Sequence, residues 1–140
     1  AIDRVGVMLS LNFPAGPELE KLSEKSNAVF KIKPSMKNAD CSLSGVENKC
    51  KKMLTENYEK SDIALFCIDS VIAALDGMYK ALMPKYGALP VVFSGGVTSN
   101  KRIKNYFHDK YNAVFAEPAF SADNAAGTAV LSSIMYDRRK

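Results

Sequence analysis

A chain of 140 residues with 47% hydrophobic and 24% charged residues is long enough to bury one core and too short for two, so a single domain, 1–140, is predicted. A formal charge of +4 permits contact with nucleic acid without demanding it, and no stretch reaches the roughly 18 apolar residues of a membrane span, so no membrane partner is expected. Cys41, Cys50 and Cys67 cannot all pair and none has Cys-x-x-Cys spacing; with no secretory leader at its start, the chain reads as cytoplasmic.

The chain opens on Ala1-Ile2-Asp3-Arg4-Val5-Gly6-Val7-Met8-Leu9, whose apolar residues at 2, 5, 8 and 9 have helical spacing with no cap before them, as expected of a cut end. Val29 to Lys33 and Cys41 to Gly45 alternate and are expected to pair as strands across a loop from Pro34 to Asp40. An amphipathic helix is predicted over 46–58. A longer one over 61–83 starts at Ser61-Asp62 as N-cap, carries Ile63, Phe66, Cys67, Val71, Ala74, Leu75 and Met78 on one face, and ends at Pro84 and Gly87. A strand over 89–93, a helix over 99–109, a strand over 113–116 and a closing helix over 122–137 follow. Strands alternating with helices imply parallel pairing and an α/β domain with its ligand at the carboxyl ends of the strands.

Two small-residue turns emerge at that edge, Ser94-Gly95-Gly96-Val97-Thr98-Ser99-Asn100 and Ser121-Ala122-Asp123-Asn124-Ala125-Ala126-Gly127. Glycine has no Cβ, so backbone at Gly95 and Gly96 can close on a phosphate or ribose, and the helix N-terminus that follows favours negative charge. The strand, glycine turn and helix therefore point to a nucleotide. A plain corner between strand and helix is the competing reading.

Taken in order, Gly16-Pro17-Glu18-Leu19-Glu20-Lys21-Leu22, Ser42-Leu43-Ser44-Gly45 and the two turns make the chain resemble the tRNA threonylcarbamoyladenosine transferase family, long labelled O-sialoglycoprotein endopeptidase or glycoprotease. The resemblance spans essentially the whole chain but only the second half of a family member. It implies one lobe of the actin-like, sugar-kinase-like ATPase fold (ribonuclease H-like, a mixed sheet flanked by helices), here the C-terminal lobe of a two-lobed protein.

The resemblance also implies roles. Asp3 corresponds to an aspartate that hydrogen-bonds the adenylate ribose, Gly95 and Gly96 to the turn that the ligand approaches, Asn100 to an asparagine on the nucleoside and Asp123 to a ligand of a divalent metal (Fe, Zn or Mg). ATP or threonylcarbamoyl-adenylate would be the bound nucleotide. tRNA, the N-terminal lobe and other subunits of a tRNA-modifying complex would be partners. The family completes its metal site with a His-x-x-x-His pair, whereas this chain has only His108, expected to face solvent among charged neighbours. The lone chain is therefore expected to be inactive. A divergent non-catalytic paralogue or scaffold, dimerising or docking through Val5, Val7, Met8, Leu9, Leu11 and Phe13, is one alternative; a kinase or ATPase lobe of the same superfamily is another.

Overall fold

In a computed structural model, residues 1–117 and 125–137 are described. Among the described residues, six α-helices and two small sheets make an α/β arrangement: α1 (Ile2–Met8), α2 (Gly16–Ser23), β1 (Ser35–Lys37), β2 (Asp40–Ser42), α3 (Ser44–Thr55), α4 (Lys60–Tyr86), β3 (Val92–Phe93), α5 (Lys101–Tyr111), β4 (Val114–Phe115) and α6 (Ala125–Asp137). β3 and β4 pair in parallel, Val92 opposite Val114 and Phe93 opposite Phe115. β1 and β2 form a separate antiparallel hairpin, so the described residues hold two two-stranded sheets where one mixed sheet was expected.

The first strand of the hairpin also lies elsewhere than predicted. Ser35 pairs with Ser42, Met36 with Cys41 and Lys37 with Asp40, so β1 lies within what the sequence suggested was a loop, while β2 overlaps the predicted second strand at Cys41 and Ser42. Asn38, at φ 57°, explains the shift: Asn tolerates the left-handed region and closes a two-residue turn with Ala39. Residues 29–33 stay outside the ladder and alternate in burial instead, with Phe30 and Ile32 turned inward and Val29, Lys31 and Lys33 exposed.

α4 is the central beam. Ile63, Ala64, Leu65, Cys67, Ile68, Val71, Ile72 and Ala74 are all buried, more than one face of it, because α2, α3, α5 and the hairpin all pack around it. Its N-cap is Glu59, not Ser61-Asp62; Asp62 instead accepts a 2.5 Å hydrogen bond from the Ser26 hydroxyl. Nor does Pro84 end it. That residue lies in an exposed last turn, where water can take the carbonyl it leaves unpaired, and Gly87 at φ 74° closes the helix. α3 starts two residues earlier than predicted. Val5 and Leu9 are core residues, packed with Leu19 and Ile63, which removes them from the docking surface suggested above; Val7 and Phe13 remain exposed. Among the described residues no helix is long and apolar enough to cross a membrane.

A polar cluster fixes α5 on α4. The Asp76 carboxylate accepts from Lys80 Nζ at 2.6 Å, Lys110 Nζ at 2.9 Å and the Tyr111 hydroxyl at 2.5 Å. Burial alone would raise the Asp76 pKa, but Lys80, Tyr111 and Lys110 together hold it far below the usual carboxylate range. A depressed native pKa stabilises the fold above the unfolded-state value near 4, and that contribution is lost as pH falls below it. Asp76→Asn is therefore expected to cost about 1–3 kcal/mol at neutral pH. The deficit against the unsubstituted protein should shrink in urea melts taken from about pH 5 downward; a deficit independent of pH would contradict this.

Candidate nucleotide site

Three motifs distant in sequence meet through α2. Its start is held by Asp3, whose Oδ1 accepts the Ala15 N–H at 2.9 Å, and by Gly6, where a Cβ would stand 2.1 Å from that of Ala15. Pro17 in the first turn suits a helix start, since its missing N–H would have had no partner there. One turn further, Glu20 Oε1 accepts the Lys101 N–H at 2.7 Å, at the first residue of α5. Ala15 and Glu20 are five residues apart, so the Asp3 contact and the α5 start stand roughly 7–8 Å apart along α2, the scale of a nucleoside. Glu20 was missed in the sequence, although Gly16-Pro17 is itself a helix-start signal that would have placed it.

The glycine turn leaves β3 as expected. Gly95 sits at φ 110°, ψ 157°, a region open essentially to glycine alone. Its carbonyl accepts from the Thr98 hydroxyl at 2.8 Å and the Thr98 N–H at 3.2 Å, which fixes the turn. Gly96 begins a 3-10 turn, Gly96–Ser99, without a positive φ, and a Cβ there would meet nothing within 4 Å. Backbone geometry therefore requires glycine at 95 but not at 96, where room beside the main chain is what distinguishes the position.

Asn100 is the N-cap of α5. It is 8% exposed, and its Oδ1 accepts the Ile103 N–H at 3.1 Å. The amide was expected both to donate to and to accept from a ligand; with Oδ1 committed to the cap, its Nδ2 donor is the atom suited to that task. Glu20 similarly takes the Lys101 amide, so the α5 N-terminus is partly neutralised by the protein itself. Arg102 fastens this end of α5 to α4 through a two-pronged pair with Asp69, Nε to Oδ1 at 2.6 Å and Nη2 to Oδ2 at 3.1 Å.

The parallel pairing sends the turn after β3 and the chain after β4 out at the same edge, where Ala116 N–H donates to the Phe93 carbonyl at 2.9 Å. Asp123 lies outside the described residues. His108 is exposed in the last turn of α5, its Nδ1 3.2 Å from Asp109 Oδ1, about 12 Å along the helix from Asn100. Among the described residues no three His, Cys, Asp or Glu side chains gather as a metal site.

This chain matches the family model of tRNA N6-adenosine threonylcarbamoyltransferase over residues 1–130. The chain belongs to that family. Proteins of that name are similar to it: one from Kosmotoga olearia is 29% identical over 150 residues, covering 100% of this chain and 44% of the relative. One from Thermococcus sibiricus is 31% identical over 105 residues, covering 74% and 32%, and one from Thermococcus kodakarensis is 30% identical over 142 residues, covering 97% and 44%. The chain thus spans less than half the length of these curated relatives.

Proposed function

We propose that this chain is the C-terminal lobe of a tRNA threonylcarbamoyladenosine transferase with an actin-like, two-lobed fold, and that it grips the nucleotide half of threonylcarbamoyl-adenylate. The observation that carries the reading is the convergence of Asp3, Glu20 and Asn100 about α2, next to the Gly95-Gly96 turn at the carboxyl ends of a parallel pair. Asp3 and Glu20 offer carboxylate acceptors suited to ribose hydroxyls, and each is already oriented by a backbone N–H. Asn100 offers a donor, and the open backbone at Gly96 lets the ligand lie close.

In the reaction so read, the exocyclic amine of a tRNA adenosine attacks the carbamoyl carbon of the mixed anhydride. A C–N bond forms, the C–O bond to the AMP phosphate breaks, and the amine's proton passes to solvent. This chain's part is to hold the leaving AMP in place. The family's metal would be a Lewis acid for that leaving group, and Asp123 would hold it together with the family's histidine pair in the N-terminal lobe.

The expected result is that the full-length protein, given tRNA, threonylcarbamoyl-adenylate and a divalent metal, forms the modified adenosine, while the 140-residue chain gives no product above the enzyme-free blank. Product from this chain alone would contradict the division of labour. If the full-length protein phosphorylates a small substrate and leaves tRNA unmodified, the kinase-lobe alternative would replace this reading.

A further inference from the structure

The segment from Val29 into β1 has the period of a strand. Phe30, Ile32, Pro34 and Met36 are half-buried, and Lys31, Lys33 and Lys37 stand on the exposed side. Alternate residues of an extended chain are about 6.6 Å apart, so Lys31 and Lys33 repeat at a distance comparable to that between successive phosphates on a nucleic-acid strand. Lys33 also lines a cleft of about 190 Å³ with Ser35, Ser42, Ser44 and Lys49. The Ser42 and Ser44 hydroxyls lie 2.9 Å apart; one must donate to the other, which leaves the second O–H to donate outward.

The nearby acids do little to neutralise this face. Glu47 is paired with Arg4 at 2.7 Å, and Asp40 stands opposite Lys37 in the hairpin register, which singles out Lys37 as the lysine most offset. Among the described residues Lys31, Lys33 and Lys49 have no ion pair. The Ser-Leu-Ser-Gly motif thus contributes two hydroxyls to a basic cleft, separate from the nucleotide site.

We propose that this face, centred on the cleft between Lys33 and Lys49, docks the phosphate backbone of RNA. A concave cleft lined by two lysines and a pair of serines suits a single phosphodiester, and the lysine repeat continues along the neighbouring phosphates. A flat lipid surface would engage the ridge but not the cleft. The inference deepens the reading of tRNA as the substrate and rests on it.

The test is tRNA binding by fluorescence anisotropy over a salt series, using the full-length protein and its Lys33→Ala/Lys49→Ala double variant. Both residues are exposed, so melting should be unchanged. The double variant is expected to bind about tenfold more weakly at about 0.1 M salt, with the slope of log K against log salt smaller by nearly two, and Lys→Arg at both positions should restore binding. ATP affinity should not move. No tRNA binding by the unsubstituted protein, an unchanged slope, or weakened binding to phosphatidylserine vesicles with tRNA binding intact would each overturn it. Transfer proceeding with an unchanged KM for tRNA in the double variant would remove this surface and leave the transferase reading standing. A protein without transfer activity whose RNA binding still falls would do the reverse.

Discussion

Replacing Gly6 with valine is expected to lower stability by about 3 kcal/mol or more, near the upper end of the cost of overfilling a core. Gly6 is buried in α1, and the atom that a Cβ would strike, Ala15 Cβ at 2.1 Å, is fixed to backbone and cannot swing away. α1 and α2 must then move apart. That separation loosens Val5, Leu9 and Leu19, each at most 1% exposed, and it stretches the hydrogen bond from Ala15 to Asp3. The lesion therefore reaches the candidate site as well as the core. Thermal melting and ATP binding should both suffer, with even Gly6→Ala measurably affected. A melting point unchanged by valine would mean that the two helices do not cross at this distance.

Phe107→Ala should cost about 3–5 kcal/mol, as for other fully buried aromatic residues cut back to alanine. Phe107 is 0% exposed, with ring centroids 4.8 Å from Phe93, 5.1 Å from Tyr106 and 6.0 Å from Tyr111; Phe93 in turn stacks on Phe115 at 5.2 Å. These rings seat the β3–β4 pair on α5. Two-residue strands contribute little by themselves, so the pair depends on that packing. In urea the midpoint should fall at constant slope, and Phe107→Leu should retain most of the stability. A loss below about 1 kcal/mol for alanine would place Phe107 outside the core.

The long-period features were legible in the sequence because burial writes them there. α1, α4 and α5 follow from apolar spacing, and the parallel order of β3 and β4 from alternation with a helix. The first strand of the hairpin was misplaced because Val29 to Lys33 has the alternation of a paired strand but uses it to lie over α4, where the Phe30 ring meets Phe66 edge-on at 5.4 Å; the turn-forming Asn38 was the stronger signal. Asp3, Gly95, Gly96 and Asn100 were legible as candidates from glycine chemistry and family likeness. What the sequence could not show is that Asn100 spends its Oδ1 on a helix cap, or that Glu20 reaches across 81 positions to Lys101, since both depend on how α2 packs.

The central claim, that the glycine turn lies against a bound nucleotide, is tested most directly by titrating ATP or a non-hydrolysable adenylate into the full-length protein and its Gly96→Val variant, with melting measured in parallel. Gly95→Ala serves as the contrast, expected to lose about 1–3 kcal/mol of stability through its φ of 110°, whereas valine at 96 has room and should leave melting nearly unchanged. The account predicts at least about a tenfold loss of nucleotide affinity for Gly96→Val, about 1.4 kcal/mol. An affinity within about twofold of the unsubstituted protein, close to 0.4 kcal/mol, in a variant that melts normally would contradict it.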